Sequence, residues 1–408
     1  MMLLRLVLAF IGRRPLTWAF HVLTLAVGVA IVLSLLLVDR AVEARFARDL
    51  AGVDLVIGAK GSPLQLVLSA VFQMDAPTGN IPIAEAERFS RNPLVRSAIP
   101  LAMGDSYGGV RIVGATRDYL DLYGAAPEEG RLWARPMEAV IGADVARRQG
   151  LRLGQSFVGS HGFAPGGERH EQAPYVVVGV LKATGAVVDR LIITDLASVW
   201  AIHGHDADRD KHRADEPEHG DHEAEGHSSR EVTALLIRYR SAMGAVVLPG
   251  QVRRTPDLQA AAPPIELARL FSLLGSGLDL LRGVGLVVVG LSGAGFFVGL
   301  IAAVSQRRRD LALLRALGAS PRRLLSIVAL EAALLGAAGG LMGILGARGL
   351  MALLSVASAR GLSGPILTAP PPGGLEVMAL ALATGLAVIA AILPAWVASR
   401  ADPAKELA

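Results

Sequence analysis

The segment Gln306-Arg-Arg-Arg-Asp-Leu-Ala-Leu-Leu-Arg-Ala-Leu-Gly-Ala-Ser-Pro-Arg-Arg-Leu-Leu325 decides the architecture of this chain. It holds six arginines (Arg307, Arg308, Arg309, Arg315, Arg322 and Arg323) and is bordered on both sides by long apolar runs. Upstream, Gly283–Val304 is uncharged. Downstream, Leu324–Leu345 contains one acid, Glu331, and the apolar character resumes beyond Arg348 as far as Val356. About 20 apolar residues, rising about 1.5 Å each, cross a hydrocarbon core of about 30 Å. The block is therefore a short basic loop between two membrane spans. Two further runs are long enough: Leu16–Val38, 23 uncharged residues, and Val377–Val397, with Pro394 near its end.

Lysine and arginine flank spans on the cytoplasmic side. Arg5, Arg13 and Arg14 precede the first run, and Arg400 and Lys405 follow the fourth. The connection from third to fourth holds Arg360 alone. One orientation satisfies all of these: both termini and the 305–323 loop are cytoplasmic. Residues 39–280 then lie outside, in the periplasm of a bacterium with two membranes, and the chain is a multi-pass inner-membrane protein. The first run exceeds the core of about 7–15 residues typical of a signal peptide, so it reads as an uncleaved anchor. Residues 1–15 read as a cytoplasmic N-terminus, either an amphipathic helix on the inner surface or an ordinary basic flank.

Composition agrees. Of 408 residues, 52% are hydrophobic and only 19% charged, against about 25% in soluble domains. A purely soluble enzyme and a disordered protein are excluded. The absence of cysteine removes thiolate metal sites, iron–sulfur clusters and cysteine nucleophiles. The net charge of +4 is spread along membrane borders instead of one patch, which points to lipid headgroups and not to nucleic acid.

The stretch 39–280 has soluble composition. Short β-type runs (Val110–Val113, Ala139–Ile141, Tyr175–Val180, Leu191–Thr194 and 231–240) alternate with helical patches at Ile83–Phe89 and Asp144–Gln149. That pattern predicts an α+β domain with a mixed or antiparallel sheet. A helix from Ile265 to about Leu281 should run straight into the second span as a stiff link. Asp54–Pro63 contains Gly58, Lys60, Gly61 and Ser62 but fails as a phosphate loop, because the lysine precedes the second glycine. It reads as a turn into an apolar helix, Leu64–Phe72.

Residues 203–227 hold six histidines (His203, His205, His212, His219, His222 and His227), nine carboxylates and three basic residues. With almost no large apolar side chain, the segment cannot bury a core and reads as an insertion. Imidazole and carboxylate suit Zn²⁺, so weak multi-site zinc binding is one reading and a solvated polar loop the other. His21, His161 and His170 read as incidental.

Within the opening block, Asp310–Leu317 makes a short amphipathic helix with Leu311, Leu314 and Leu317 on one side and Leu313 near it. Gly318 suits its C-cap and Ser320-Pro321 the start of the next helix. The pattern fits a docking knob for a cytoplasmic partner and a helix resting on lipid equally. Gly295-x3-Gly299, Gly336-x3-Gly340 and Gly339-x3-Gly343 mark close helix packing, within one chain or between two.

Arg309-Asp-Leu-Ala-Leu-Leu-Arg-Ala-Leu-Gly-Ala-Ser resembles the R-E-I-x-x-L-R-A-x-G-A signature of FtsX/MacB-type ABC transporter permeases, with Asp310 where glutamate is common. The run from Glu331 to Gly343 resembles that family's glycine-rich third span, and Pro394-Ala-Trp-Val-Ala-Ser-Arg-Ala-Asp-Pro-Ala-Lys-Glu-Leu its closing motif. The motifs cover about 283–408; the histidine-rich insertion is foreign to the pattern. The resemblance implies four transmembrane helices (1+3, at 16–38, 283–304, 324–356 and 377–397) and a MacB-like periplasmic α+β domain over 39–280. An FtsX-like domain then covers 281–408. It further implies a separate cytoplasmic ATPase carrying ATP and Mg²⁺, docked through Arg309, Asp310, Leu311, Leu314, Arg315, Leu317 and Gly318, and a second permease subunit. No cofactor would bind this chain directly; zinc at the histidine-rich loop is a separate reading from composition. The implied function is export or extraction of a lipoprotein, peptide or amphiphile. The alternative is a mechanotransmitter that controls a cell-wall hydrolase or signal through a periplasmic protein without transport.

Overall fold

The structure, a computed structural model, describes residues 7, 9, 12, 13, 15–162, 167, 169–202, 230–306, 313, 315, 317–360 and 369–399. Among the described residues, four helices are long and apolar enough to cross a membrane: Pro15–Leu50, Arg282–Ser305 within the helix Pro263–Ser305, Pro321–Ser358 within Pro321–Arg360, and Gly374–Trp396 within Gly374–Ser399. A mixed α/β domain is inserted between the first and the second. The chain divides into two compact units. One comprises Met1–Glu43, Gly275–Arg360 and Ile366–Ala408, the other Ala44–Leu274 and Gly361–Pro365.

The inserted domain is built on a sheet whose strands run, in spatial order, Leu258–Ala261, Leu55–Ala59, Ala234–Tyr239, Val95–Tyr107, Val110–Ala115, Ile192–Thr194, Glu138–Ile141, Tyr175–Leu181 and Pro127–Gly130. Most neighbours are antiparallel. Ile192–Thr194 runs parallel to Val110–Ala115, and Glu138–Ile141 parallel to Tyr175–Leu181, so the sheet is mixed. Both faces are covered. Leu55 and Ile57 pack with Ile81, Phe89, Leu235 and Ile237 on one side; Val56 packs with Leu66, Val67, Leu101 and Leu236 on the other. A strand buried on both faces shows no alternation. That is why Leu55–Ala59, read as a turn in the sequence, is a central strand. It is followed by the helix Pro63–Ala70, whose first turn Ser62 caps through Oγ to the Gln65 amide at 3.4 Å.

The ends of two long helices belong to this domain. Residues 44–50 close the helix Pro15–Leu50, and residues 263–274 open the helix Pro263–Ser305. The expected helix from Ile265 is thus continuous through Ser305. Leu267 is buried in the domain core, with Phe46, Leu270 and Phe271 against it.

Candidate functional site

Three parts of the molecule gather the functional residues: the connection before Pro321, the helix bundle, and the helix ends within the inserted domain.

In the connection, Leu313 and Arg315 are helical, the Leu317 amide donates to the Leu313 carbonyl at 3.0 Å and the Gly318 amide to that of Arg315 at 2.9 Å. Gly318 then takes φ +92°, a left-handed conformation that glycine adopts without strain. The Ser320 carbonyl accepts from Arg323 and Leu324 and so starts the next helix. Leu313 is 50% exposed and Leu317 84%. Four residues apart on one helical turn, they present an uncovered apolar edge. Arg309, Asp310, Leu311 and Leu314 lie outside the described residues, as do His203, His205, His212, His219, His222 and His227.

The bundle is seamed by glycines. In the second span a Cβ on Gly299 would sit 2.0 Å from His21 Nε2, and one on Gly295 3.5 Å from Thr24 Cγ2; both face the first span. His21 is buried there, edge-on to Phe296. The third span has two seams. Gly336 and Gly340 face the fourth span, where added carbons would meet Thr384 Cα at 2.8 Å and Leu380 Cδ1 at 3.0 Å. Gly339 and Gly343 face the first, at 2.9 Å from Leu25 Cβ and 2.6 Å from Val29 Cβ. These glycines therefore let spans of one chain approach closely. The pairs Gly336/Gly340 and Gly339/Gly343 serve different neighbours.

A cavity of about 590 Å³ opens among the first, second and fourth spans. Its lining includes Leu25, Leu33, Leu286, Phe296, Met378 and Leu382, and Ser292 is the single polar side chain among the described lining residues. Size and lining match a pocket for an apolar ligand. The bundle's charges are few. Arg348 pairs with Glu376 and with the Pro370 carbonyl, and Glu376 also accepts from the Gly373 amide at 2.9 Å. Glu331 is buried, 8% exposed.

The third part was not singled out from the sequence. Arg45 Nε lies 3.2 Å from Asp49 Oδ2, and Arg190 Nη2 3.5 Å from the same oxygen. Arg45 also donates to the Gly185 carbonyl at 2.6 Å, and Arg48 to that carbonyl at 3.2 Å. The loop that offers Gly185 is itself tied: the Thr184 and Gly185 amides donate to Asp189 at 2.9 and 2.7 Å. The Tyr123 hydroxyl donates to the Asp49 carbonyl at 3.0 Å. Burial pushes Asp49 above the usual carboxylate range, against the pull of Arg45 and Arg190. Burial, then the like charge of Arg45, lowers Arg190. Beside this network Phe46 meets Phe72 and Phe271 edge-to-face, at centroid distances of 5.0 and 5.4 Å. The two helix ends are thus keyed into one domain core by a buried ion cluster and an aromatic contact. The one signal in the sequence was the i, i+4 spacing of Arg45 and Asp49, which many exposed helices share.

Comparison with known proteins follows this division. The model of the MacB-like periplasmic core domain matches residues 18–238, and that of the FtsX-like permease C-terminal matches residues 282–403. No curated protein matches the chain. Among solved structures, the periplasmic region of MacB from Actinobacillus actinomycetemcomitans aligns at 12% identity, over 55% of this chain and 94% of that one, with a TM-score of 0.34. The extracellular domain of the noncanonic ABC-type transporter YknZ from Gram-positive bacteria aligns at 13% identity, over 50% and 98%, with a TM-score of 0.30.

Proposed function

This chain belongs to the FtsX/MacB-type ABC transporter permeases, and we propose that it is the membrane subunit of a complex that turns ATP hydrolysis by a separate subunit into movement of a periplasmic domain. The membrane subunit carries no ATP chemistry of its own. ATP and Mg²⁺ sit on the cytoplasmic partner, which docks on the 306–320 connection through Arg309, Asp310, Leu311, Leu314, Arg315, Leu317 and Gly318. A second permease subunit completes the assembly. The arginine distribution supports a cytoplasmic side for both termini.

The observation that carries the coupling reading is the keyed pair of helix ends. Phe46 and Phe271 touch inside the domain core, and each belongs to a helix that continues into a candidate span. A displacement of either helix therefore has to disturb that core or carry it along. The exposed Leu313–Leu317 edge supports a protein partner over a purely structural turn, since an uncovered apolar pair invites burial. The cargo reading, an amphiphile or the lipid-bearing end of a lipoprotein, draws on the apolar cavity. One hydroxyl and no charge in the described lining suit a hydrocarbon chain and offer no path for an ion. Zinc association at His203–His227 is a separate proposal, resting on composition alone.

Reconstitution of the purified chain with its ATPase tests the docking assignment. Leu314→Asp and Arg315→Glu should each weaken co-purification of the ATPase and abolish its stimulation by the permease. Binding and turnover at the unmodified level in both variants would refute the assignment. Cross-linking Phe46→Cys to Phe271→Cys should leave ATPase binding intact. Release of an amphiphile from vesicles that persists unaltered after substitution of Ser292, Phe296 and Met378 by tryptophan would remove the cavity from the mechanism.

A further inference from the structure

The strand Val95–Tyr107 carries a bulge. Met103 pairs with Val113 and Asp105 with Ile112, so Gly104 is an extra residue. A bulge re-aims the side chain that follows it. Here Asp105 turns away from the core that holds Met103 and Val113 and toward the one that holds Ile112, Phe157 and Tyr175. It is 2% exposed.

Two histidines meet it there. His161 is its register partner on the short strand Ser160–His161, and His170 returns alongside. His161 Nδ1 lies 3.6 Å and His170 Nε2 3.4 Å from Asp105 Oδ1. The imidazoles stand edge to face at 6.2 Å between centroids. One ligand atom from each of the three residues lies within 4.8 Å of the others.

These separations exceed an ordinary N–H···O bond of about 2.9–3.0 Å. They match a shared ion: tetrahedral bonds of about 2.0–2.2 Å set donor atoms about 3.3–3.6 Å apart. The donor set favours zinc over the hard cations. Two imidazoles and one carboxylate suit zinc and leave a fourth position for water, whereas Mg²⁺ and Ca²⁺ take oxygen ligands. A divalent ion would also offset the cost of burying the Asp105 carboxylate.

The backbone frame is tightly tied. The His170 amide donates to the Gly159 carbonyl at 3.0 Å and the Gly162 amide to the Gly104 carbonyl at 2.7 Å. Ser106 Oγ donates to the Gly162 carbonyl at 2.6 Å, and Ser160 Oγ to the Ser106 carbonyl at 3.2 Å. Gly159 leaves room: a Cβ there would press on Ile112 Cδ1 at 3.0 Å and approach Asp105 Cβ at 3.9 Å. Access comes from one side, since the His161 side chain is 60% exposed and that of His170 8%.

We propose that Asp105, His161 and His170 form a zinc site that staples His161 and His170 to the bulged strand of the inserted domain. The site is distinct in residues from the histidine-rich segment 203–227 and does not depend on the coupling function. Sequence spacing does not mark His161 and His170 as ligands; the bulge and the strand pairing bring them to Asp105.

The test uses the full-length chain in detergent with the six loop histidines replaced (H203A, H205A, H212A, H219A, H222A and H227A). After gel filtration that parent should retain one equivalent of Zn²⁺, undisturbed by excess Mg²⁺, and Zn²⁺ should raise its unfolding temperature. His161→Ala and His170→Gln should each lose the equivalent and the thermal response. His161 is exposed, so its variant folds without zinc and remains a fair comparison. A parent that binds no zinc overturns the proposal, and so does a His161→Ala variant that binds it with unchanged affinity.

Discussion

In the inserted domain, Asp49 is boxed between Arg45 and Arg190 with the Tyr123 hydroxyl on its carbonyl, and sheet residues on both faces fill continuous cores. In the helix bundle close approaches are of glycine to side chain or backbone: Gly299 against His21, Gly343 against Val29 and the Ala26 carbonyl, Gly336 against Thr384. The two regions answer different solvents. In water, removing apolar area from the solvent drives assembly, and the core is large enough to enclose an ion cluster. In lipid, side chains gain nothing by leaving hydrocarbon, so helices associate through short-range packing that only small residues permit. The domain should therefore be most sensitive to lost charge pairing, and the bundle to added volume.

The largest effect is expected from Asp49→Ala. It strands the Arg190 and Arg45 guanidiniums in a buried site, and breaking such a cluster from one side costs about 3–5 kcal/mol. Thermal unfolding or limited proteolysis of the full chain should show the inserted domain opening first; an unchanged midpoint would mean that the cluster contributes nothing. Next comes Gly343→Leu. Overpacking typically costs about 1–3 kcal/mol, and here the obstruction includes a backbone oxygen that cannot rotate away. Loss of the monodisperse peak in detergent would register it.

A smaller, pH-dependent effect belongs to Glu138, which receives two donors from Arg131 at 2.6 and 2.7 Å and the Ala134 amide at 2.8 Å. The Arg131 bonds, ahead of the Ala134 bond and against burial, pull its pKa from 4.5 to about 2. A depressed carboxylate stabilises the fold above its unfolded pKa, and that contribution fades as pH falls from about 4.5 toward about 2. Unfolding followed across that window should show the loss in the parent and a flatter profile in Glu138→Gln. The smallest effect is expected from Gly290→Leu. Nothing lies within 4 Å of a Cβ there, so the change should stay within about 0.5 kcal/mol. A collapse of Gly290→Leu equal to that of Gly343→Leu would break the contrast between sealed and open glycines.

The elements were unevenly legible. The four spans follow from apolar length, which needs no tertiary context. Strands such as Tyr175–Leu181 and Val110–Ala115 were legible from β-branched runs between turn residues. Others were not. Leu55–Ala59 is buried on both faces and shows no period. The helix Ala242–Arg253 carries Gly244, Pro249 and Gly250, which argue locally against it. Val95–Tyr107 hides its length behind Pro100 and the bulge at Gly104. Of the site residues, the Leu313–Leu317 edge and the glycine seams were visible as spacing, although which glycine faces which span was not.

Apolar length, arginine placement and helical spacing are properties of neighbours along the chain, and they alone determined the spans and their expected orientation; the family resemblance came from short motifs such as Arg309–Ser320. The meeting of Asp49 with Arg190, of Phe46 with Phe271, and of Asp105 with two histidines joins residues 56 to 225 positions apart. Such contacts are created by sheet order, register and one inserted residue, so only the folded structure decided them.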